Sequence, residues 1–245
     1  MTTTAARTTP ERTRRRGHRV SWTVVTLTSL AVATYAVSPY LMRSLRALAA
    51  DDVGLATGYA GRPAPVLLAF SLHVAAGGVA LLVGPFSFWA GLRRRRPAVH
   101  RAIGRTYLGA VGVAGVGALA LAPVNTAGMV GLFGFGTLAV LWLATSWRGY
   151  RAIRAGDAAG HQAWMIRSFA LTYAAVTLRA WTGVLVAVQA PFTSGPSGVD
   201  TAFDNAYAAV PFLCWLPNLV VAEWLIRRRH LPTLRITEPD RAMQG

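Results

Sequence analysis

Six apolar stretches, each about as long as a membrane span, constrain the fold of this chain more than any other feature. A bilayer core of roughly 30 Å needs about 20 helical residues at about 1.5 Å per residue, and every stretch comes close to that length or exceeds it. The stretches are Ser21–Leu41, Pro65–Leu92, Tyr107–Val124, Gly128–Trp147, Ser168–Gln189 and Tyr207–Ile226. The sequence therefore predicts an all-α integral membrane helical bundle with six transmembrane spans.

The basic residues alternate between the two sides of this bundle. All 25 are Arg, and most fall before the first stretch, between the second and third, between the fourth and fifth, and after the sixth. Arg43, Arg46 and Arg62 lie in the opposite loops, and Arg179 lies inside the fifth stretch. Because arginine resists translocation, this bias predicts that both termini are cytoplasmic in a multi-pass protein of the cytoplasmic (inner) membrane.

The net charge of +16 has a membrane explanation. In a chain that is 53% hydrophobic, with arginines at the span ends, these residues anchor the spans and attract anionic lipid headgroups. Each contributes about 1 kcal/mol near the surface. We therefore expect the lipid bilayer and its anionic headgroups as partners, and no nucleic acid.

Polar segments flank the membrane domain at both ends. Residues 1–20 predict a disordered basic cytoplasmic tail, residues 21–226 the six-span membrane domain, and residues 227–245 a second cytoplasmic tail. The first span has a basic head and the small residues typical of a cleaved signal peptide. Its length favours an uncleaved anchor.

Small and aromatic residues predict how the spans pack and where the membrane interface lies. Glycines at three-residue spacing on the third and fourth spans predict close helix packing. They are Gly109, Gly112 and Gly115, followed by Gly128, Gly131 and Gly134. Aromatic residues near the cytoplasmic span ends predict an interfacial belt. They are Trp22, Trp89, Tyr107, Trp147, Tyr150, Trp164 and Trp224.

Several longer motifs follow one another from the second span onward. They are His73 with Gly77–Gly78 and Leu81–Phe86, His100–Arg101 with Gly104–Arg105 and Tyr107, Tyr150–Arg154 with Gly156–Asp157, His161 with Trp164–Ser168, Thr177–Arg179, Trp215–Leu219 and Ala222–Trp224. These motifs resemble a family of bacterial membrane proteins catalogued as the domain of unknown function numbered 2306. The resemblance covers most of residues 65–226, with Gln162 standing where we would expect Arg. It implies a multi-span membrane protein and no particular reaction.

Polar side chains inside the spans predict a ligand site near mid-membrane. Arg179 lies ten residues before Gln189, or roughly 15 Å from the outer end of its span, and His73 and Asn218 lie at similar depth. Pro217 cannot donate to the carbonyl of residue 213, which leaves an acceptor near Asn218. His73, Arg179 and Asn218 could then bind an anion, a quinone oxygen or a haem propionate. The alternative is that Arg179 only donates to backbone carbonyls and Asn218.

A second cluster of charged and titratable residues is predicted at the cytoplasmic mouth. Its members are His100, Arg101, Arg105, His161, Arg167 and Glu223. Two histidines can bind a metal or carry protons, and arginines can bind phosphate or carboxylate. The structural alternative is that Arg105 and Arg167 extend to the interface and that Glu223 pairs with one of them.

Three functions remain open from these candidates. A non-enzymatic ligand or transport site around Arg179 fits best, because the chain has no HExxH, GxSxG, P-loop or dinucleotide motif, and we assign neither catalytic nor metal-binding residues. A redox protein binding b-type haem or quinone is the alternative, although only His73 among the histidines lies within a span. An enzyme acting on lipid headgroups at the cytoplasmic face is the second alternative, with His100, His161 and Asp157 as its available bases.

Overall fold

A computed structural model describes residues 9–51, 53, 55–193 and 198–233, with side chains from Val20 onward in these ranges. Within them the chain is helical and has no strand. The helices are α1 Thr9–Met42, α2 Leu45–Ala50, α3 Ala56–Tyr59, α4 Ala64–Ser87, α5 Ala90–Arg95, α6 Pro97–Leu121, α7 Gly128–Arg154, α8 Ala158–Thr172, α9 Ala174–Gln189, α10 Gly198–Leu213 and α11 Leu216–Arg228.

Six helical segments of the described chain are long and apolar enough to cross a membrane, which confirms the number of predicted spans. The first four spans are α1, α4, α6 and α7; the fifth joins α8 to α9, and the sixth joins α10 to α11. We call the side that carries α2 and α3 the outer side and the side that carries α5 the inner side. These names follow the orientation that the arginines predict.

The helices extend further on the inner side than the sequence predicts. α6 begins ten residues before Tyr107, with a proline in its first turn, where a missing N–H has no cost. α8 begins ten residues before Ser168, because the Asp157 side chain accepts the Gly160 N–H at 2.7 Å and caps it. Five residues assigned to the inner mouth therefore lie on helices α6 and α8 and not in loops: His100, Arg101, Arg105, His161 and Arg167.

The two predicted tails lie largely outside the described residues. The backbone is helical from Thr9, inside the segment for which the sequence predicts disorder, while residues 1–8 and 234–245 fall outside. The assignment of residues 1–20 and 227–245 to cytoplasmic tails stays a prediction.

Spans five and six are each interrupted near the middle of the bundle. In span five the interruption is a single residue, Tyr173, between α8 and α9. In span six it covers Cys214 and Trp215, just before Pro217 in the first turn of α11. A proline cannot continue the hydrogen-bond ladder of the preceding helix, so Pro217 explains the second interruption.

The prediction of close packing at the spaced glycines is correct at some positions and wrong at others. A Cβ added at Gly115 would lie 2.6 Å from Leu143 Cδ2, and one at Gly134 would lie 2.5 Å from Pro211 Cβ. A Cβ added at Gly109 or Gly112 would meet no atom within 4 Å. Three residues turn a helix by about 300°, so successive glycines point in directions that differ by about 60°. They cannot all face one partner.

Candidate functional site

The six spans surround a cavity of about 890 Å³ in the outer half of the bundle. Its wall is mainly apolar, and side chains of α1, α4, α6, α7, α9 and α10 contribute to it. The loop residues Thr57 and Tyr59 mark its outer end, and Leu171 and Thr172 mark its inner end. Ligand pockets for small molecules typically measure roughly 300–1,000 Å³ and have mostly apolar walls, so the cavity has the size and character of such a pocket.

Arg179 on α9 contributes the positive charge of this cavity. Its Nη1 donates to the Ala175 carbonyl one turn earlier at 2.7 Å, a backbone contact of the kind that the alternative to a ligand site expected. Among the residues that the structure describes, no carboxylate forms an ion pair with it. A guanidinium has five N–H donors, so four of those of Arg179 have no hydrogen-bond partner among the described residues, and the residue is exposed.

His73 on α4 lines the same cavity. Its Nδ1 lies 2.9 Å from the Ala114 carbonyl on α6, and because a carbonyl only accepts, Nδ1 carries the proton. In the neutral ring Nε2 is then an acceptor. Gly117 makes this contact possible, since a Cβ there would lie 2.9 Å from the Ala69 carbonyl and 3.2 Å from His73 Cβ. His73 and Arg179, which the sequence analysis assigned to one site, therefore line the same cavity; that they bind a ligand stays a prediction.

Asn218, the third residue of the predicted mid-membrane site, is not among the residues that line the cavity. Its Nδ2 donates to the Cys214 carbonyl at 3.0 Å and to the Ala170 carbonyl at 3.1 Å, and it lies 3.0 Å from Thr177 Oγ1. Thr177 Oγ1 in turn donates to the Cys214 carbonyl at 2.5 Å. Asn218 therefore satisfies backbone groups where spans five and six are interrupted, instead of bonding to Arg179 as one alternative expected.

The outer end of the cavity has polar groups that the sequence prediction missed. Asp200, Asp204 and Tyr207 of α10 line it, as does Tyr40 of α1. The phenols of Tyr40 and Tyr207 lie close enough to Arg179 for electrostatic interaction. The sequence placed the two aspartates in an outer loop because the apolar run begins at Tyr207, whereas α10 begins nine residues earlier.

A buried group of hydroxyls closes the inner end of the cavity. Tyr107 Oη lies 2.8 Å from Ser168 Oγ and 2.7 Å from Thr172 Oγ1, and Ser146 Oγ lies 2.7 Å from Ser168 Oγ. The indole N–H of Trp142 donates to Thr172 Oγ1 at 2.9 Å. We call these five residues the hydroxyl network; they tie α6, α7 and α8 together.

The hydrogen bonds of the hydroxyl network can be assigned so that every donor has an acceptor. Thr172 Oγ1 donates to the Ser168 carbonyl at 3.0 Å, so its two lone pairs accept from Trp142 and Tyr107. Tyr107 then accepts from Ser168, which accepts from Ser146. Tyr107 is 1% exposed, so its assignment to the interfacial belt was wrong. A buried phenol needs hydrogen-bond partners, and this one has two.

The inner mouth is held together by an ion pair rather than being open for a ligand. Arg167 donates from Nε to Glu223 Oε1 at 2.5 Å and from Nη2 to Oε2 at 2.9 Å. Its guanidinium also lies 4.7 Å from the centroid of the Trp164 ring, with Arg148 5.1 Å from the same centroid. Glu223 thus pairs with Arg167 and not with Arg105, which is one of the two pairings that the structural alternative allowed. A ligand role of the mouth stays a prediction.

Three of the remaining residues of the predicted mouth lie near one another, since His100 is close enough to His161 and to Arg101 for their charges to interact. That they bind a ligand stays a prediction. His161 Nδ1 donates to the Gly149 carbonyl at 2.8 Å, and His100 Nδ1 is buried without a hydrogen-bond partner among the described residues. Arg101 and Arg105 are exposed. In the described part of the chain, no group of three or more His, Cys, Asp or Glu side chains could hold a metal ion.

A protein-family model described as "Predicted membrane protein (DUF2306)" matches residues 70–226, which is well over half of the chain. The match begins at Phe70, three residues before His73, and ends two residues after Trp224, so it includes both predicted clusters. No curated protein and no solved structure matches the chain.

Proposed function

The chain belongs to the DUF2306 family of membrane proteins, whose description names no activity, and from the geometry of the cavity we propose that it binds an anionic small molecule inside the membrane. Arg179 is the residue that binds the negative group, and the apolar wall holds the rest of the ligand. The protein acts as a binding protein rather than as an enzyme.

One observation carries this proposal: a charged guanidinium lies on the wall of a cavity without a carboxylate partner among the described residues. An arginine at the centre of a span costs about 3 kcal/mol on insertion scales, and such residues usually face a partner or a pathway. Arg179 faces the cavity, where a carboxylate of the protein would otherwise be expected. An anion bound to Arg179 would offset that cost.

The side chains around Arg179 narrow the class of ligand. A guanidinium binds carboxylate, sulfonate or phosphate oxygens through two parallel hydrogen bonds. His73 offers an acceptor from Nε2, which fits a hydroxyl or other donor on the same ligand. Because most of the cavity wall is apolar, the remainder of the ligand is a hydrocarbon or ring system.

The hydroxyl network favours binding over passage through the protein. It closes the inner end of the cavity with side chains that are all buried, and its donors are satisfied. A ligand that moved towards the inner side would have to break these hydrogen bonds, at about 1 kcal/mol net for each.

Binding is tested with octanoate as the anionic probe, and with octanol and octylamine as neutral and cationic probes of the same length. The purified chain in lipid nanodiscs is melted with each probe. Octanoate should raise the melting temperature by mass action, and the other two should not. Arg179→Gln should weaken octanoate binding by about 10- to 100-fold, the loss of a charge-assisted hydrogen-bond pair of about 1.5–3 kcal/mol.

Arg46→Gln is the matched control, because Arg46 lies on an exposed part of the outer loop. Arg179→Lys keeps the charge but not the paired donors, so its affinity should fall between those of the wild type and Arg179→Gln. Equal affinity of wild type and Arg179→Gln for octanoate would sink the proposal, as would equal stabilisation by all three probes.

We also propose that the protein resides in the cytoplasmic membrane with the α5 side facing the cytoplasm. Arg93, Arg94 and Arg95 in the last turn of α5 are exposed and can contact anionic headgroups. A phosphatase reporter fused to the C-terminus should be inactive, since that enzyme folds only outside the cytoplasm, whereas one inserted after Gly61 should be active. The reverse pattern would invert the orientation.

A further inference from the structure

The first and fifth spans contact each other near the middle of the bundle. Thr28 Oγ1 lies 2.8 Å from the Tyr173 hydroxyl, and Ala33 packs with Leu81 and Val176. α1 also packs on α4 along its length: the Trp22 indole N–H donates to the Pro85 carbonyl at 3.0 Å at the inner end. Further out, Val37 covers Gly78, and Tyr40 packs on Phe70 at 5.3 Å between ring centroids.

The outer part of α9 has a different neighbour from that of α1. Gln189 Nε2 donates to the Ala202 carbonyl of α10 at 3.3 Å, and Asn205 donates to Gln189 Oε1 at 3.1 Å. Gly183 of α9 is exposed, lines the cavity, and has no atom within 4 Å of an added Cβ. Beyond the Ala33 level, Ala36, Val37 and Tyr40 of α1 and Thr182 and Gly183 of α9 all line the cavity, so the cavity extends into a gap between the two helices.

We propose that this gap is the entrance of the ligand site, and that the ligand is an anionic amphiphile taken sideways from the outer leaflet of the bilayer. This inference deepens the proposed function and rests on it for the role of Arg179. Both walls of the gap belong to membrane spans, so it opens onto lipid and not onto water. A fatty-acid-like molecule fits, with its acidic group on Arg179 and its chain leading back through the gap.

The charges around the cavity support entry from lipid over entry from water. Asp200 and Asp204 line the outer end of the cavity, where it approaches the aqueous side, and both are exposed. Two carboxylates there repel an anion that arrives from water. The gap between α1 and α9 is lined by Ala36, Val37, Tyr40, Thr182 and Gly183, none of which carries a negative charge at neutral pH.

The entrance can be tested without a ligand by cysteine labelling in liposomes. Cys214, the single native cysteine, is first replaced by alanine, and Ala118→Cys then puts a thiol on the α6 wall of the cavity, opposite the gap. The lipid-soluble reagent N-(1-pyrene)maleimide and the water-soluble anion 2-sulfonatoethyl methanethiosulfonate are compared. The lipid-soluble reagent should label this thiol, and the anionic reagent should label it slowly.

Gly183→Trp should fill the gap and remove most of the labelling by the lipid-soluble reagent. Gly109→Trp is the matched control, because Gly109 also has open space around it but does not line the cavity. Ala36→Phe narrows the gap from the α1 side. It replaces Gly183→Trp in the labelling experiment if that variant does not purify as a monodisperse protein. Unchanged labelling in both gap variants would overturn the lateral entrance, as would faster labelling by the anionic reagent. Failure of octanoate binding alone would affect only the proposed function.

Discussion

Arg167 of α8 and Glu223 of α11 form two parallel hydrogen bonds in the inner half of the bundle, at 2.5 and 2.9 Å. The Arg167 side chain is 4% exposed and that of Glu223 is 30% exposed. A paired arrangement of this kind fixes both the distance and the relative rotation of two helices. It holds the inner parts of the fifth and sixth spans together where both spans are interrupted above it.

Replacing Glu223 by Gln should destabilise the protein by about 2 kcal/mol, because the buried Arg167 guanidinium loses its counter-charge. The partial exposure of Glu223 keeps the loss below the roughly 3–5 kcal/mol of fully buried pairs. Asp51→Asn is the control, since the Arg43–Asp51 pair is exposed on both sides and should contribute less than about 1 kcal/mol. Unfolding in mixed micelles measures both; equal effects would contradict a special role for Arg167 and Glu223.

Thr172→Val should destabilise the hydroxyl network by about 2 kcal/mol or more, because Trp142 and Tyr107 both lose the oxygen to which they donate. Thr145→Val is the matched control. Thr145 is equally buried, but its hydroxyl donates only to carbonyls of its own helix, so the loss should stay near or below about 1 kcal/mol. The thermal unfolding midpoints of the two variants should differ clearly, and identical midpoints would argue against the network.

Gly117→Ala should destabilise the protein by about 1–3 kcal/mol, since the new methyl group would press on the Ala69 carbonyl and separate α4 from α6. Gly109→Ala, on the same helix with open space around it, should be neutral or stabilising by up to about 1 kcal/mol. Gly117→Ala should also weaken octanoate binding, because His73 shifts away from Ala114. Equal stability of the two variants would contradict close packing at Gly117.

Tyr59→Phe should reduce the loss of stability in alkali. Tyr59 lies in the outer loop, where burial raises the pKa of its phenol above the ordinary 10.0, an effect that the positive charge of Arg62 partly offsets. An acid whose folded pKa is raised keeps its contribution below the unfolded pKa and loses it as pH rises through the folded pKa. Melting curves between about pH 9 and 11 should therefore be less pH-dependent in Tyr59→Phe. Equal pH dependence in the wild type and in Tyr59→Phe would contradict this prediction.

The sequence predicted those features that depend on hydrophobic length and spacing. The six spans follow from the apolar runs, and the interruption before Pro217 follows from its missing N–H. The common cavity of His73 and Arg179 follows from their similar depth. Arg167 and Glu223 were candidates for pairing, and the structure selects Arg167 over Arg105. Each of these features is local or depends only on depth in the membrane.

The features that the sequence did not predict depend on which side of a helix meets which neighbour. Tyr107 sits next to a span end in the sequence, but α6 extends past it and turns the phenol into the core. Asn218 shares its depth with Arg179 yet faces the interruption of span five. Asp204 lines the cavity because α10 begins in a polar segment. Hydropathy alone assigns that segment to a loop. The direction in which each face of a helix points is set by its packing against other helices, and a single sequence contains little information about it.

The interruptions at Tyr173 and at Cys214–Trp215 divide the fifth and sixth spans into inner and outer half-helices that make different contacts. Below them, Arg167 and Glu223 join α8 to α11, and the hydroxyl network joins α8 to α6 and α7. Above them, α9 and α10 carry Arg179, Asp200 and Asp204. A change of residue in the outer half-helices alters the chemistry of the cavity without disturbing the anchor beneath it. Substitutions that change the lining of the cavity can therefore accumulate without loss of the contacts that hold the inner half of the bundle together.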